Sequence, residues 1–219
     1  MSREHFEQQL LGLQTEILRM GAMVENAIGQ AIQALKTQDL ELARDVIRAD
    51  SQIDRAQYTF EDRALILLST QQPLLARDLR SVSAAISIAS ELERVGDYAE
   101  GIAEITLRLG NARLIKPLVD IPKMAVNAQT MLRQALDAYT RADVAAAQAL
   151  GEADDVVDAT TDRVQREILN LMITDVSTIE QATSLLYVVH NLERIADRAT
   201  NIGERVIFMV SGRIVDLND

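Results

Sequence analysis

Eight carboxylates in this sequence have a spacing that could do chemistry. They fall into four pairs, each four residues apart: Asp50/Asp54, Glu93/Asp97, Asp154/Asp158 and Glu193/Asp197. On a helix such residues lie one above the other, and two like charges there cost an isolated helix about 0.2–0.5 kcal/mol. One pair alone is uninformative, because 33 acids among 219 residues give roughly five by chance. If the helices carrying Asp50/Asp54 and Glu93/Asp97 pack side by side, four carboxylates converge, and their repulsion favours a multivalent cation. An all-oxygen set suits hard or borderline ions such as Mg²⁺, Mn²⁺, Ca²⁺ or iron. The spacing leaves a second possibility open: solvated faces whose acids pair with Arg55, Arg94, Arg163 or Arg194.

Placement separates these pairs from chance. Residues 91–104, ELERVGDYAEGIAE, are echoed one hundred residues later by NLERIADRATNIGE, residues 191–204. Seven of the fourteen positions are identical, Glu93/Glu193, Arg94/Arg194 and Asp97/Asp197 among them. A weaker echo, ADSQID at 49–54 and ADDVVD at 153–158, occurs in the same order at an offset of 104. The chain therefore reads as two copies of one unit.

Apolar spacing and breakers divide each copy into three long helices. The first is expected from about Arg3 to Lys36. The second is capped by Asp39 and reaches Thr70. The third has Pro73 in its first turn and stops at Gly110. The segment KPLVDIP, 116–122, is the main interruption. The fourth helix ends near Arg141, the fifth is capped by Asp143 and ends near Thr174, and the sixth runs from Ser177 to Gly212. The tail RIVDLND is expected to fray. Short links force antiparallel neighbours, so the expected fold is all-α, two tandem pseudo-symmetric three-helix bundles, with domains at 1–112 and 117–213.

Within these helices the acids fall on different faces. Leu92, Val95, Ala99 and Ile102 form an apolar stripe, as do Leu192, Ile195, Ala199 and Ile202, and Glu93 and Asp97 point about a third of a turn away from it. Asp50 instead falls within the seam of Val46, Ile53, Phe60, Ala64 and Leu67. Asp154 does so among Val144, Val157, Val164, Ile168 and Leu171. A seam carboxylate is costly unless it is partnered or reaches solvent.

Composition narrows the function classes. Hydrophobic residues make up 48% of the chain and aromatics 3%, with no Trp. The core is therefore aliphatic, with Met20, Met23, Met124, Met131, Met172 and Met209 as fillers. The net charge of −11 disfavours nucleic acid and anionic lipid as primary partners. No cysteine is present, which excludes disulfide and thiolate chemistry. The N-terminus has no signal-peptide run and no stretch reaches membrane-spanning length, so a soluble, cytoplasmic protein is expected.

The repeated E-R-x-x-D segments, with RMGAMVENAI (19–28), QQPLLARDLR (71–80) and NIGERVIFMVSG (201–212), resemble the PhoU family over about Glu4 to Gly212. That resemblance implies metal clusters held by E/D-x-x-x-D motifs, here Asp50, Asp54, Glu93 and Asp97, then Asp154, Asp158, Glu193 and Asp197. Asn201 extends the second face, while its counterpart Gly101 offers no side chain, so the halves are expected to bind unequally. Ala196 in place of Gly96 reads as a packing change. The metal is implied to be Fe, Mn, Mg or Zn. The implied role is non-enzymatic: a negative regulator of phosphate uptake and phosphate-starvation signalling that links a phosphate ABC transporter ATPase subunit to a membrane sensor histidine kinase. A homodimer is expected.

Other readings fit less well. A carboxylate-bridged di-iron enzyme needs Glu-x-x-His on two helices, and neither His5 nor His190 has Glu three residues before it. No nucleophile or phosphate-binding glycine loop marks a hydrolase. A metal-free helical adaptor, or a relative serving metal homeostasis or persistence, stays open. His190 is expected to be a partly buried helix residue. Arg94 and Arg194 are expected to pair with carboxylates on neighbouring helices.

Overall fold

A computed structural model describes residues 3–71 and 73–218; Met1, Ser2, Gln72 and Asp219 lie outside them. Six helices follow one another: α1 (Arg3–Thr37), α2 (Leu40–Thr70), α3 (Ala76–Leu109), α4 (Asp120–Arg141), α5 (Val144–Thr174) and α6 (Ile179–Ser211). A 3₁₀ turn, Val176–Thr178, precedes α6.

The two copies are built by the same local chemistry. Asp39 caps α2 by accepting hydrogen bonds from the Glu41 and Leu42 amides at 3.1 and 3.0 Å. Asp143 caps α5 through the Ala146 amide at 3.0 Å. Each capping aspartate follows a non-glycine residue in the left-handed region, Gln38 (φ 54°) and Ala142 (φ 52°). The third helix begins later than expected. Pro73 lies outside it and Leu75 is extended (φ −79°, ψ 147°), because Leu74 first packs onto the core.

In each copy the three helices touch pairwise, which makes a triangular bundle. Helices α3 and α6 form the centre of the molecule and join the two bundles, and α1 packs on α4. Of the other helical elements described, α2 touches only α1 and α3, and α5 touches only α4, the 3₁₀ turn and α6. The predicted stripes Leu92, Val95, Ala99, Ile102 and Leu192, Ile195, Ala199, Ile202 are all fully buried. Truncating one such leucine to alanine costs about 2–5 kcal/mol.

Polar bonds fasten the copies together. Glu91 of α3 accepts from Arg198 (3.1 Å) and Asn201 (3.2 Å) of α6. Gln38 donates to the carbonyls of Gly110 and Ala112 at 3.0 and 2.7 Å, and Lys116 pairs with Glu167 at 2.9 Å, which pins the connecting segment at both ends.

The tail does not fray. The Leu217 amide donates to Glu204 at 3.0 Å, and the Thr200 hydroxyl donates to the Asn218 side-chain oxygen. Two helix glycines make the slot. A Cβ on Gly151 would sit 3.2 Å from the Leu217 carbonyl oxygen, and one on Gly203 would sit 3.4 Å from the Leu217 side chain.

Candidate metal centre on the acidic helix faces

The α2–α3 seam brings the first set of acids together. One carboxylate oxygen from each of Asp50, Asp54 and Asp97 lies within 4.8 Å of the others. Asp50 is 9% exposed, and its Oδ1 is buried with no hydrogen-bond partner among the described residues. Gly96 makes the approach possible, since a Cβ there would lie 3.0 Å from Asp50 Oδ1 and 3.0 Å from Ile53. The exchange of Gly96 for Ala196 therefore changes the space available to a carboxylate as well as the packing.

Burial raises the pKa of Asp50 from its ordinary 3.8 to about 6, with the charges of Asp54 and Asp97 adding to the effect. Asp97 is raised by burial and by Asp54, against the pull of Arg94. Glu93 is also raised, chiefly by burial and then by Asp97, but it is not part of the converging trio. Glu100 was not anticipated. Burial, then Asp50 and Glu104, lift its pKa to about 7, so it belongs to the same acidic seam. Its counterpart in the other copy is Thr200, and the repeat therefore gave it no signal.

In the second copy, burial raises Asp154 to about 7, with further contributions from Asp158, Asp197 and Glu193. Asp154 is 5% exposed, and its Oδ1 likewise has no partner among the described residues. Here, however, neighbouring side chains already hold the α6 acids. Arg194 Nη1 lies 2.6 Å from Asp197 Oδ2, and His190 Nδ1 lies 3.0 Å from Glu193 Oε2. Asp197 is itself buried. Two expectations are corrected by this arrangement. His190 is exposed. Arg194 pairs within its own helix, with the residue three positions on, and reaches α3 through the Tyr98 hydroxyl at 3.4 Å. Among the described residues, Arg94 makes no ion pair.

The residues of the first seam fit a cation. Three carboxylate oxygens within 4.8 Å of one another, with Asp50 also keeping a buried unpartnered oxygen, are what an all-oxygen site can present to a hard ion. Asp50, Asp54 and Asp97 would hold it, with Glu93 and Glu100 alongside. Neutralising these crowded charges is the chemistry such an ion supplies.

The same chain can be set beside known proteins. The PhoU domain matches it twice, over residues 17–106 and 121–206. A phosphate-specific transport system accessory protein PhoU homolog of Clostridium acetobutylicum is 38% identical over 219 residues, covering all of both chains. The homolog of Caulobacter vibrioides is 37% identical over 208 residues, covering 94% of this chain and 90% of its own. The crystal structure of the phosphate transport system regulatory protein PhoU from Streptococcus pneumoniae superposes with a TM-score of 0.89 at 31% identity, covering 96% of this chain and 99% of that one. PhoU from Pseudomonas aeruginosa gives 0.90 at 30% identity, covering 95% and 100%. With the double match and the full-length likeness agreeing with the six-helix architecture, the chain belongs to the PhoU family.

Proposed function

We propose that this protein is a non-enzymatic cytoplasmic regulator of phosphate uptake. In this reading it couples a phosphate ABC transporter to a sensor histidine kinase, damps the starvation response when phosphate is plentiful, and carries a hard cation on the α2–α3 seam. Each copy, 1–112 and 117–213, acts as one unit. The observation that carries the metal part is the meeting of one oxygen each of Asp50, Asp54 and Asp97 within 4.8 Å, with Asp50 also holding a buried unpartnered oxygen. The printed names of full-length relatives support the phosphate part. That no described helix is long and apolar enough to cross a membrane agrees with action by contact.

Two measurements test the reading. The untagged protein, loaded with Mn²⁺, Mg²⁺ or Fe²⁺, is analysed by elemental mass spectrometry beside an Asp50→Ala/Asp54→Ala/Asp97→Ala variant. Metal in the wild type and none in the folded variant is the expected result. A deletion strain carrying either gene is then assayed for alkaline phosphatase in high phosphate, where only the wild type is expected to restore repression. Failure of the wild type to repress would end the regulatory reading whatever the metal result.

For the α5–α6 seam a metal-free reading has an observation in its favour. Arg194 already neutralises Asp197, and the His190 ring is hydrogen-bonded to Glu193, so this face holds together without an ion and binds metal more weakly.

A further inference from the structure

The first copy contains a groove that lies apart from both acidic seams. It is lined by α1 and α2 alone and encloses about 350 Å³. Met20, Met23 and Ala56 form its floor, and Arg19, Arg55 and Arg63 stand on its rim. Three arginines against the single Glu16 make a basic strip on a chain whose net charge is −11. Arg63 is bound to Glu16. Arg19 and Arg55 make no ion pair or side-chain hydrogen bond among the described residues.

The second copy shows what this groove is like when closed. At an offset of 104, Thr59 corresponds to Arg163, Glu16 to Asp120 and Arg63 to Glu167. Arg163 spans the gap, 3.2 Å from Asp120 and 3.1 Å from Glu167. Arg55 is replaced there by Ala159 and Met23 by Asn127. The open, basic, methionine-floored version is thus a property of the first copy and not a by-product of the fold.

The dimensions favour an elongated occupant. From Gln52 to Arg63 the α2 wall runs about 16 Å at the helical rise per residue. A trough between two antiparallel helices accepts a third helix laid along it, ridge into groove, as in a four-helix bundle. We infer that this groove docks an acidic amphipathic helix of a partner protein. Two of that helix's carboxylates, about two turns apart, meet Arg55 and Arg63, which lie about 12 Å apart along α2. A third meets Arg19 on the opposite wall. A leucine or methionine between them settles on Met20 and Met23, whose flexible thioethers adapt to varied shapes. None of the groove residues is a candidate metal ligand, so the inference stands or falls apart from the metal reading.

The probe is a fluorescein-labelled, alanine-rich helical peptide carrying two glutamates eight residues apart around a central leucine. Its control carries lysines at those two positions. Anisotropy with the full-length protein is expected to show saturable binding of the acidic peptide alone, weakening as salt rises. Affinity falls about tenfold or more in Arg19→Gln/Arg55→Gln. Thr59→Glu, which sets a carboxylate one turn from both Arg55 and Arg63, abolishes binding. Both variants change exposed residues, and circular dichroism confirms that they fold. Equal binding by the variants, or none by the wild type, overturns the inference. Displacement of the peptide by ATP, lost in the same variants, also overturns it and reassigns the groove to a small anion.

Discussion

Arg194 reaches Asp197 at 2.6 Å, whereas Arg94 and Asp97, the same pair one hundred residues earlier, make no such bond. The guanidinium therefore stands where a cation on the α5–α6 seam would have to compete, whereas among the described residues no ion pair holds Asp97 on the α2–α3 seam. Arg194→Gln removes it. In a manganese titration followed by electron paramagnetic resonance, the wild type is expected to show one tighter and one weaker site. The variant should tighten the weaker site about tenfold, the effect of roughly 1.4 kcal/mol. Arg94→Gln should leave the tighter site within about twofold, since loss of an exposed charge alters little. Equal effects of the two substitutions would refute the inequivalence.

Much of this architecture was legible in the sequence. Period and capping residues placed four of the five helix starts they predicted within two residues, with Asp39 and Asp143 capping by local chemistry. The third start was misjudged because Pro73 fits a helix's first turn, yet Leu74 packs on the core and Leu75 is extended before the helix begins. The acid pairs were legible as a repeated pattern. Their unequal surroundings were not, because they depend on which side chain Arg194, His190 and Gly96 meet across or along a helix. Glu100 escaped notice because the repeat comparison marks only shared residues.

The two orphan carboxylates make the metal-free protein sensitive to pH. Burial favours the protonated forms of Asp50 (pKa about 6) and Asp154 (about 7). A carboxylate whose folded pKa is raised contributes stability that is fully present below its unfolded value of 3.8 and is lost as pH rises through the folded one. Melting in EDTA should therefore fall between pH 5.5 and pH 8. Asp154→Asn is expected to be more stable than wild type at pH 8 by about 1–2 kcal/mol, or about 2–6 °C, and to flatten the slope. A steeper slope in the variant would count against the assignment of Asp154.

Backbone conformation gives a test independent of charge. Ala142 sits at φ 52°, ψ 40°, a region that costs a residue with a Cβ about 1–2 kcal/mol. Ala142→Gly should gain about 0.5–1 kcal/mol once the extra freedom of the unfolded chain is offset. Gln38 has nearly the same φ, but its side chain bonds to Gly110 and Ala112, so Gln38→Gly should lose those bonds and show no gain. Calorimetry of the two variants decides, and stabilisation by both would mean that the Gln38 bonds carry no weight.

The tail offers the last test. Leu217 lies in a slot that exists because residues 151 and 203 are glycines inside helices, and such glycines are themselves a sequence sign of close approach. The corresponding positions in the first copy are Ile47 and Ala103, so that seam has no such slot. Ending the chain after Gly212 removes the Leu217 packing and the bonds to Glu204 and Thr200, and should cost about 1–2 kcal/mol. Hydrogen exchange should then quicken in α5 and α6 around residues 147–154 and 200–207, and not in α2 or α3. Gly203→Ala, which pushes Leu217 and Leu150 outward, should reproduce the local exchange change in the full-length chain. Unchanged exchange in both variants would mean that the tail rests on the seam without holding it.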